Sequence, residues 1–118
     1  MARVPEQPSA IQLRYLSAYQ KRAARLMTPS ERAGMEDDIA LKADLHPVIP
    51  QTGGWRKARW AIKGKGKSAG VRVIYFFVSE PGTVFFADIY TKNEKENLTA
   101  DDKKALQKLA TAIKRGIS

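Results

Sequence analysis

Val71-Arg72-Val73-Ile74-Tyr75-Phe76-Phe77-Val78 is the densest run of β-branched and aromatic residues in the chain, and that composition predicts a strand. Glu80-Pro81-Gly82 follows as a turn sequence. Val84 to Tyr90 then resumes the apolar pattern, so the two runs read as antiparallel neighbours. Upstream, Ala58, Trp60 and Ile62 alternate with Lys57, Arg59 and Ala61, the period of a half-buried strand over residues 55–62. Residues 63–70, KGKGKSAG, connect this strand to the next and read as a flexible loop. The three strands form a meander.

Helices flank it. Ile11, Tyr15, Leu16, Tyr19, Ala23 and Leu26 recur at helical spacing with Arg14, Lys21, Arg22 and Arg25 between them, a basic amphipathic helix from Ile11. Thr28-Pro29-Ser30-Glu31 has the form of a capping box and starts a second helix, expected to run to about Leu45, before His46-Pro47. Thr99 caps a third, with Asp101 and Asp102 in its first turn and a stripe of Leu106, Leu109, Ala110 and Ile113. The expected order is ααβββα: an α+β fold with two N-terminal helices and a C-terminal helix on one face of a small antiparallel sheet. Residues 1–9, with Pro5 and Pro8, read as a loose arm on a single domain spanning 1–118.

The chain has 118 residues, of which 43% are hydrophobic, enough for one core and too many for a disordered chain. It contains no cysteine, which excludes disulfides and thiolate metal sites. Without a signal-like apolar stretch or a membrane span, it is expected to be soluble and cytoplasmic, with no membrane partner. Lysine and arginine number 21 against 12 acidic residues, a net charge of +9 that favours polyanionic partners. The charge is concentrated: Gly53 to Ser79 holds Arg56, Lys57, Arg59, Lys63, Lys65, Lys67 and Arg72 and no acid.

Nucleotide-loop motifs fail on inspection. The Gly66-Lys67-Ser68 unit lacks the upstream glycine of a phosphate-binding loop, because Ala61 stands there. The glycines of 64–69 precede a strand where a dinucleotide fold needs a helix. With His46 as the only histidine, a two-histidine acid/base pair is impossible. The acidic pairs Asp37-Asp38 and Asp101-Asp102 read as solvated helix faces. In strand 55–62, by contrast, Lys57 and Arg59 share the face opposite Ala58. Their repulsion costs stability unless an anion neutralises it, which points to a phosphate-binding surface that Arg72 can join across the sheet.

QTGGWRKARW, GKGKSAGVRVIYFF and DIYTKNEKENLTADDKKAL, in that order, resemble the HigB-type branch of the RelE/ParE toxin superfamily over about Thr28 to Ile113. The resemblance implies a RelE-like fold and a type II toxin-antitoxin system. It implies ribosome-dependent cleavage of mRNA that inhibits translation, and a helix-turn-helix antitoxin of HigA type. The arginine that opens the family's central strand and holds the scissile phosphate corresponds to Arg72. The preceding basic pair corresponds to Lys57 and Arg59 by the sheet-face reading, or to Lys63 and Lys65 by an ungapped count. The family's late basic residue corresponds to Lys92. Where the family places a base-stacking tyrosine, this chain reads Glu96-Asn97-Leu98, leaving Tyr90 or Tyr75 as substitutes. The family's opening β-strand has no evident counterpart in the proline-bearing arm.

The chemistry expected is a hydrolase-class, metal-independent endoribonuclease without cofactors. Lys57, Lys67 or Lys92, its pKa lowered by clustered cations, acts as base or acid. Arg59 and Arg72 clamp the phosphate. Arg56, Lys63, Lys65, Tyr75 and Tyr90 are the candidate RNA contacts. The alternatives are a gyrase inhibitor of ParE type, which needs no catalytic residues, and a non-catalytic RNA-binding module.

Overall fold

The computed structural model describes residues 11–62, 70–95 and 97–117. Strand β1 (Gln12–Tyr15) leads into helices α1 (Ser17–Leu26) and α2 (Pro29–Leu41). Strands β2 (Arg56–Trp60), β3 (Val71–Val78) and β4 (Thr83–Thr91) follow, and α3 (Ala100–Ile117) closes the chain. The four strands form one sheet in the order β1-β4-β3-β2. The meander β2-β3-β4 is antiparallel, as its sequence predicts.

Three expectations need correction. Ile11 to Leu26 is not one helix, because its first residues form β1, which pairs in parallel with β4, Gln12 opposite Thr83 and Tyr15 opposite Phe86. Ile11, Leu13 and Tyr15 alternate with Gln12 and Arg14, a period of two that the helical spacing of Ile11 and Tyr15 masks. The sheet is therefore mixed. Nor do the helices share a face: α1 and α2 pack on one side through Tyr19, Ala23, Met35 and Ile39, and α3 on the other through Leu106 and Ala110. Finally, α2 stops at Leu41, four residues short of expectation, and Leu41 and Leu45 are exposed. The Tyr75 hydroxyl donates to the carbonyl of Ala43 at 2.7 Å, pinning the turn after the helix to the sheet.

Coverage on both sides explains the near-continuous apolar run of β3. Val71, Val73 and Tyr75 face α1 and α2, while Ile74 and Phe76 face α3. A bulge in β4 opposite Ile74 and Tyr75 brings both Ala87 and Asp88 to the α3 side. The capping box at Thr28 forms as read, Glu31 N donating to Thr28 Oγ1 at 3.1 Å and Thr28 N to Glu31 Oε1 at 3.0 Å. On the α1/α2 side Glu36 is 6% exposed yet fully partnered. It accepts from Tyr15 at 3.1 Å, Tyr19 at 2.7 Å and Arg32 Nε at 2.7 Å.

Before β2, Pro47 to Ile49 runs alongside the strand, with Ile49 N donating to Trp55 O and Lys57 N to Pro47 O. Trp55 is fully buried and donates its indole N–H to Leu106 O at 2.7 Å, fastening α3 to the entry of β2. Gly54, at φ 118°, leads into it, and a Cβ there would lie 3.1 Å from the Phe76 ring. No helix among the described residues is long and apolar enough to cross a membrane.

Candidate phosphate-binding site

The register of the sheet assembles the site. Arg59 is directly opposite Arg72, and Arg72 is directly opposite Tyr90, so one row crosses three strands. Lys57 occupies the next row, opposite Ile74, on the same face as Arg59. This is the α3 face, but the helix packs against Trp55, Ile74 and Phe76 and leaves the guanidinium row at its margin. Lys57 and Arg72 are half-buried and Arg59 is exposed. Among the described residues neither Lys57 nor Arg59 has an acidic partner, and Arg72 makes only a long contact, 3.5 Å, to Gly70 O.

Gly70 sets the approach of the two strands. A Cβ built there would lie 2.4 Å from Trp60 O, so no other residue fits without parting β2 from β3. Electrostatics follow from the crowding. Burial, and then the charges of Arg59 and Arg72, lower the pKa of Lys57 below the ordinary lysine value. The sequence anticipated the direction, although desolvation outweighs the neighbouring cations.

The remaining candidates divide. Arg56 points to the opposite side of β2 and donates to the carbonyls of Asp44 and His46, at 3.3 and 2.6 Å, so it anchors the loop after α2. Tyr75 also faces away; it is fully buried and its hydroxyl is committed to Ala43, which removes it as an RNA contact. Tyr90 does sit in the row but is 2% exposed, with Lys95 Nζ 5.4 Å above its ring, and so offers no open stacking platform. Burial, followed by Asp88, raises its pKa, and its hydroxyl has no partner among the described residues. Lys92 is exposed in the turn two residues past Tyr90. Lys63, Lys65 and Lys67 lie outside the described residues. His46 packs edge-on to Tyr75 on the far side of the sheet, and burial lowers its pKa.

Sequence reasoning missed the ion pairs beside the row. Arg22 Nη1 donates to Asp88 Oδ1, tying α1 to β4. Lys95 Nζ lies 3.2 Å from Asp102 and 4.0 Å from Asp88. No local motif marks these contacts, since they join residues from α1, β4 and the start of α3. Among the described residues no cluster of histidine and carboxylate side chains is arranged to hold a metal ion. The arrangement can bind and polarise a phosphodiester: two guanidiniums abreast on a rigid sheet and a partly desolvated amine beside them.

Residues 50–116 match the family model described as the RelE toxin of the RelE/RelB toxin-antitoxin system. In three dimensions the chain is similar to a mutant of the E. coli toxin RelE in the free state, with a TM-score of 0.51 and 14% sequence identity. The match covers 74% of this chain and 88% of that one. At that identity the likeness is one of fold.

Proposed function

The chain belongs to the RelE toxin family, and from that membership we propose that it is an endoribonuclease that cuts mRNA on the ribosome and so halts translation. Within the family its three sequence motifs place it, in this reading, in the HigB-type branch, restrained by a helix-turn-helix antitoxin. The observation that carries the proposal is the row Arg59–Arg72 with Lys57 beside it, three cations without a described acidic partner on one sheet face.

In the proposed reaction the scissile phosphate sits between Arg59 and Arg72. Each guanidinium presents paired N–H donors to non-bridging oxygens, and these contacts strengthen as charge develops on the phosphorane. Lys57, whose neutral form is favoured by burial and by its neighbours, takes the proton from the 2′-hydroxyl. The 2′-oxygen attacks phosphorus, the bond to the 5′-oxygen breaks, and a 2′,3′-cyclic phosphate remains. The departing 5′-oxygen takes a proton, a role assigned to Lys92. Amine and guanidinium groups supply every step, so the scheme uses no metal. A site with a single partly desolvated base is a weak catalyst for free RNA, and the ribosome contributes by fixing the 2′-oxygen in line with the leaving group.

Cell-free translation followed by primer extension on the message tests the proposal. Cuts in register with codons, appearing with wild-type protein and absent with Arg72→Ala, are the expected result. Intact message alongside blocked DNA supercoiling would overturn it in favour of a gyrase inhibitor, and intact message with bound RNA in favour of a binding module.

A further inference from the structure

The basic face of α1 plays no part in the chemistry above. Arg22 and Arg25 project from this helix toward β4, where with Tyr90, Glu94 and Lys95 they line a cleft of about 280 Å³. Tyr90 also neighbours Arg72 across the strands, so the cleft abuts the guanidinium row. Its cations are held from below. Arg22 is paired with Asp88, and Lys95 with Asp88 and Asp102. The Arg22 and Arg25 side chains are 43% and 56% exposed, that of Asp88 only 19%, so the carboxylate lies deeper and the guanidiniums face out. Each arginine uses one nitrogen in its pair, Arg22 with Asp88 and Arg25 with Glu94 at 2.8 Å. Among the described residues the other donors of each fork are uncommitted, which leaves them for an incoming anion.

Glu94 differs from Asp88: its side chain is 36% exposed against 19%. It lines the cleft, paired with Arg25 and fixed by its own turn: Thr91 N donates to Glu94 Oε1 at 2.9 Å, and Glu94 N to Thr91 Oγ1 at 3.3 Å. A phosphate entering the cleft meets this carboxylate as its competitor for Arg25. We infer that the cleft is a second phosphate subsite, in which Arg22 and Arg25 hold the backbone of single-stranded RNA next to the scissile nucleotide and Glu94 limits how tightly they do so. The inference rests on the cutting site being the row Arg59–Arg72.

The test uses the full chain and a single-stranded RNA of about ten nucleotides, with affinity read by fluorescence anisotropy across a salt series. Arg25→Gln should weaken binding roughly threefold at moderate salt and lower the salt slope by about 0.7, the loss of one phosphate contact. Glu94→Gln keeps an oxygen to accept from Thr91 and removes only the charge, so it should tighten binding by a similar factor. Both responses should persist in an Arg72→Ala background, because the subsites are separate. A merely structural ion pair would make the two substitutions act in the same direction, and that result, or no response to either, overturns the subsite. If both responses appear but Arg72→Ala still cuts message, the cleft stands and the cutting-site assignment falls.

Discussion

The two faces of the sheet treat charge in opposite ways. On the α1/α2 face the carboxylate of Glu36 is buried and both its oxygens are answered: two tyrosine hydroxyls and a guanidinium converge on it, and Arg32 also lies 5.0 and 5.1 Å above the Tyr15 and Tyr19 rings. On the α3 face three cations stand side by side, with no acidic group among the described residues to answer Lys57 or Arg59. The first cluster is complete within the chain and serves the fold. The second has no such answer among the described residues, and the proposed phosphate site rests on that incompleteness.

Breaking the satisfied cluster should have the largest effect on stability. Glu36→Ala leaves Arg32 and two hydroxyls without their acceptor, and unfolding measurements should show a loss of about 3 kcal/mol. RNA cleavage per folded molecule should stay near that of the native chain. A loss below 1 kcal/mol would mean that the cluster is not the structural half of the contrast.

Arg72→Ala should do the reverse. Cleavage on ribosomes should fall on the order of a hundredfold or more, while the melting temperature hardly moves, because Val71, Val73 and Ile74 carry the burial of that strand. Near-native cleavage by the folded variant would remove Arg72 from the site.

A pH series sharpens the contrast further. With the pKa of Lys57 below the 10.5 of an ordinary lysine, the folded chain binds fewer protons than the unfolded chain between the two values. Stability from this group therefore rises with pH across that window and is level above it. The single-turnover cleavage rate should climb with pH and level off below 10.5, and Lys57→Arg should abolish that limb rather than displace it. An identical limb in Lys57→Arg would assign the base elsewhere.

The smallest expected effect concerns repulsion. Arg59 and Arg72 are like charges directly opposite one another, so Arg59→Gln should stabilise the protein by about 0.2 to 1 kcal/mol at low salt. That gain should fade as salt screens the pair. Destabilisation at low salt would show that Arg59 has an unrecognised structural role.

Much of this was legible in the chain. The alternation of Lys57 and Arg59 against Ala58 fixed their common face, and the run from Val71 to Val78 marked the central strand. The pairing of Arg59 with Arg72 then followed from a meander in the right register. What escaped depended on partners distant in sequence. Tyr75 and Tyr90 look alike as strand residues, yet one faces Ala43 and the other Arg72, a difference set by which helix covers which face. The strand Gln12–Tyr15 was hidden because the spacing of Ile11 and Tyr15 fits a helix as well as a ribbon, and only β4 decides between them. Asp88, Glu94 and Lys95 carry no motif, since their partners come from α1 and the start of α3.

The parallel seating of β1 on β4 also governs the order in which the molecule can be made. Strand β1 is synthesised well before its pairing partner, Gln12 waiting for Thr83, and a pairing so distant in sequence slows folding. Until β4 is synthesised, the surface on which α1 and α2 pack is unfinished and Tyr90 is not yet beside Arg72. The sheet that carries Arg59 and Arg72 is thus completed late in synthesis. A chain truncated ahead of β4 is expected to lack the central strand that joins β1 to β3, and with it the finished sheet on which the proposed clamp rests.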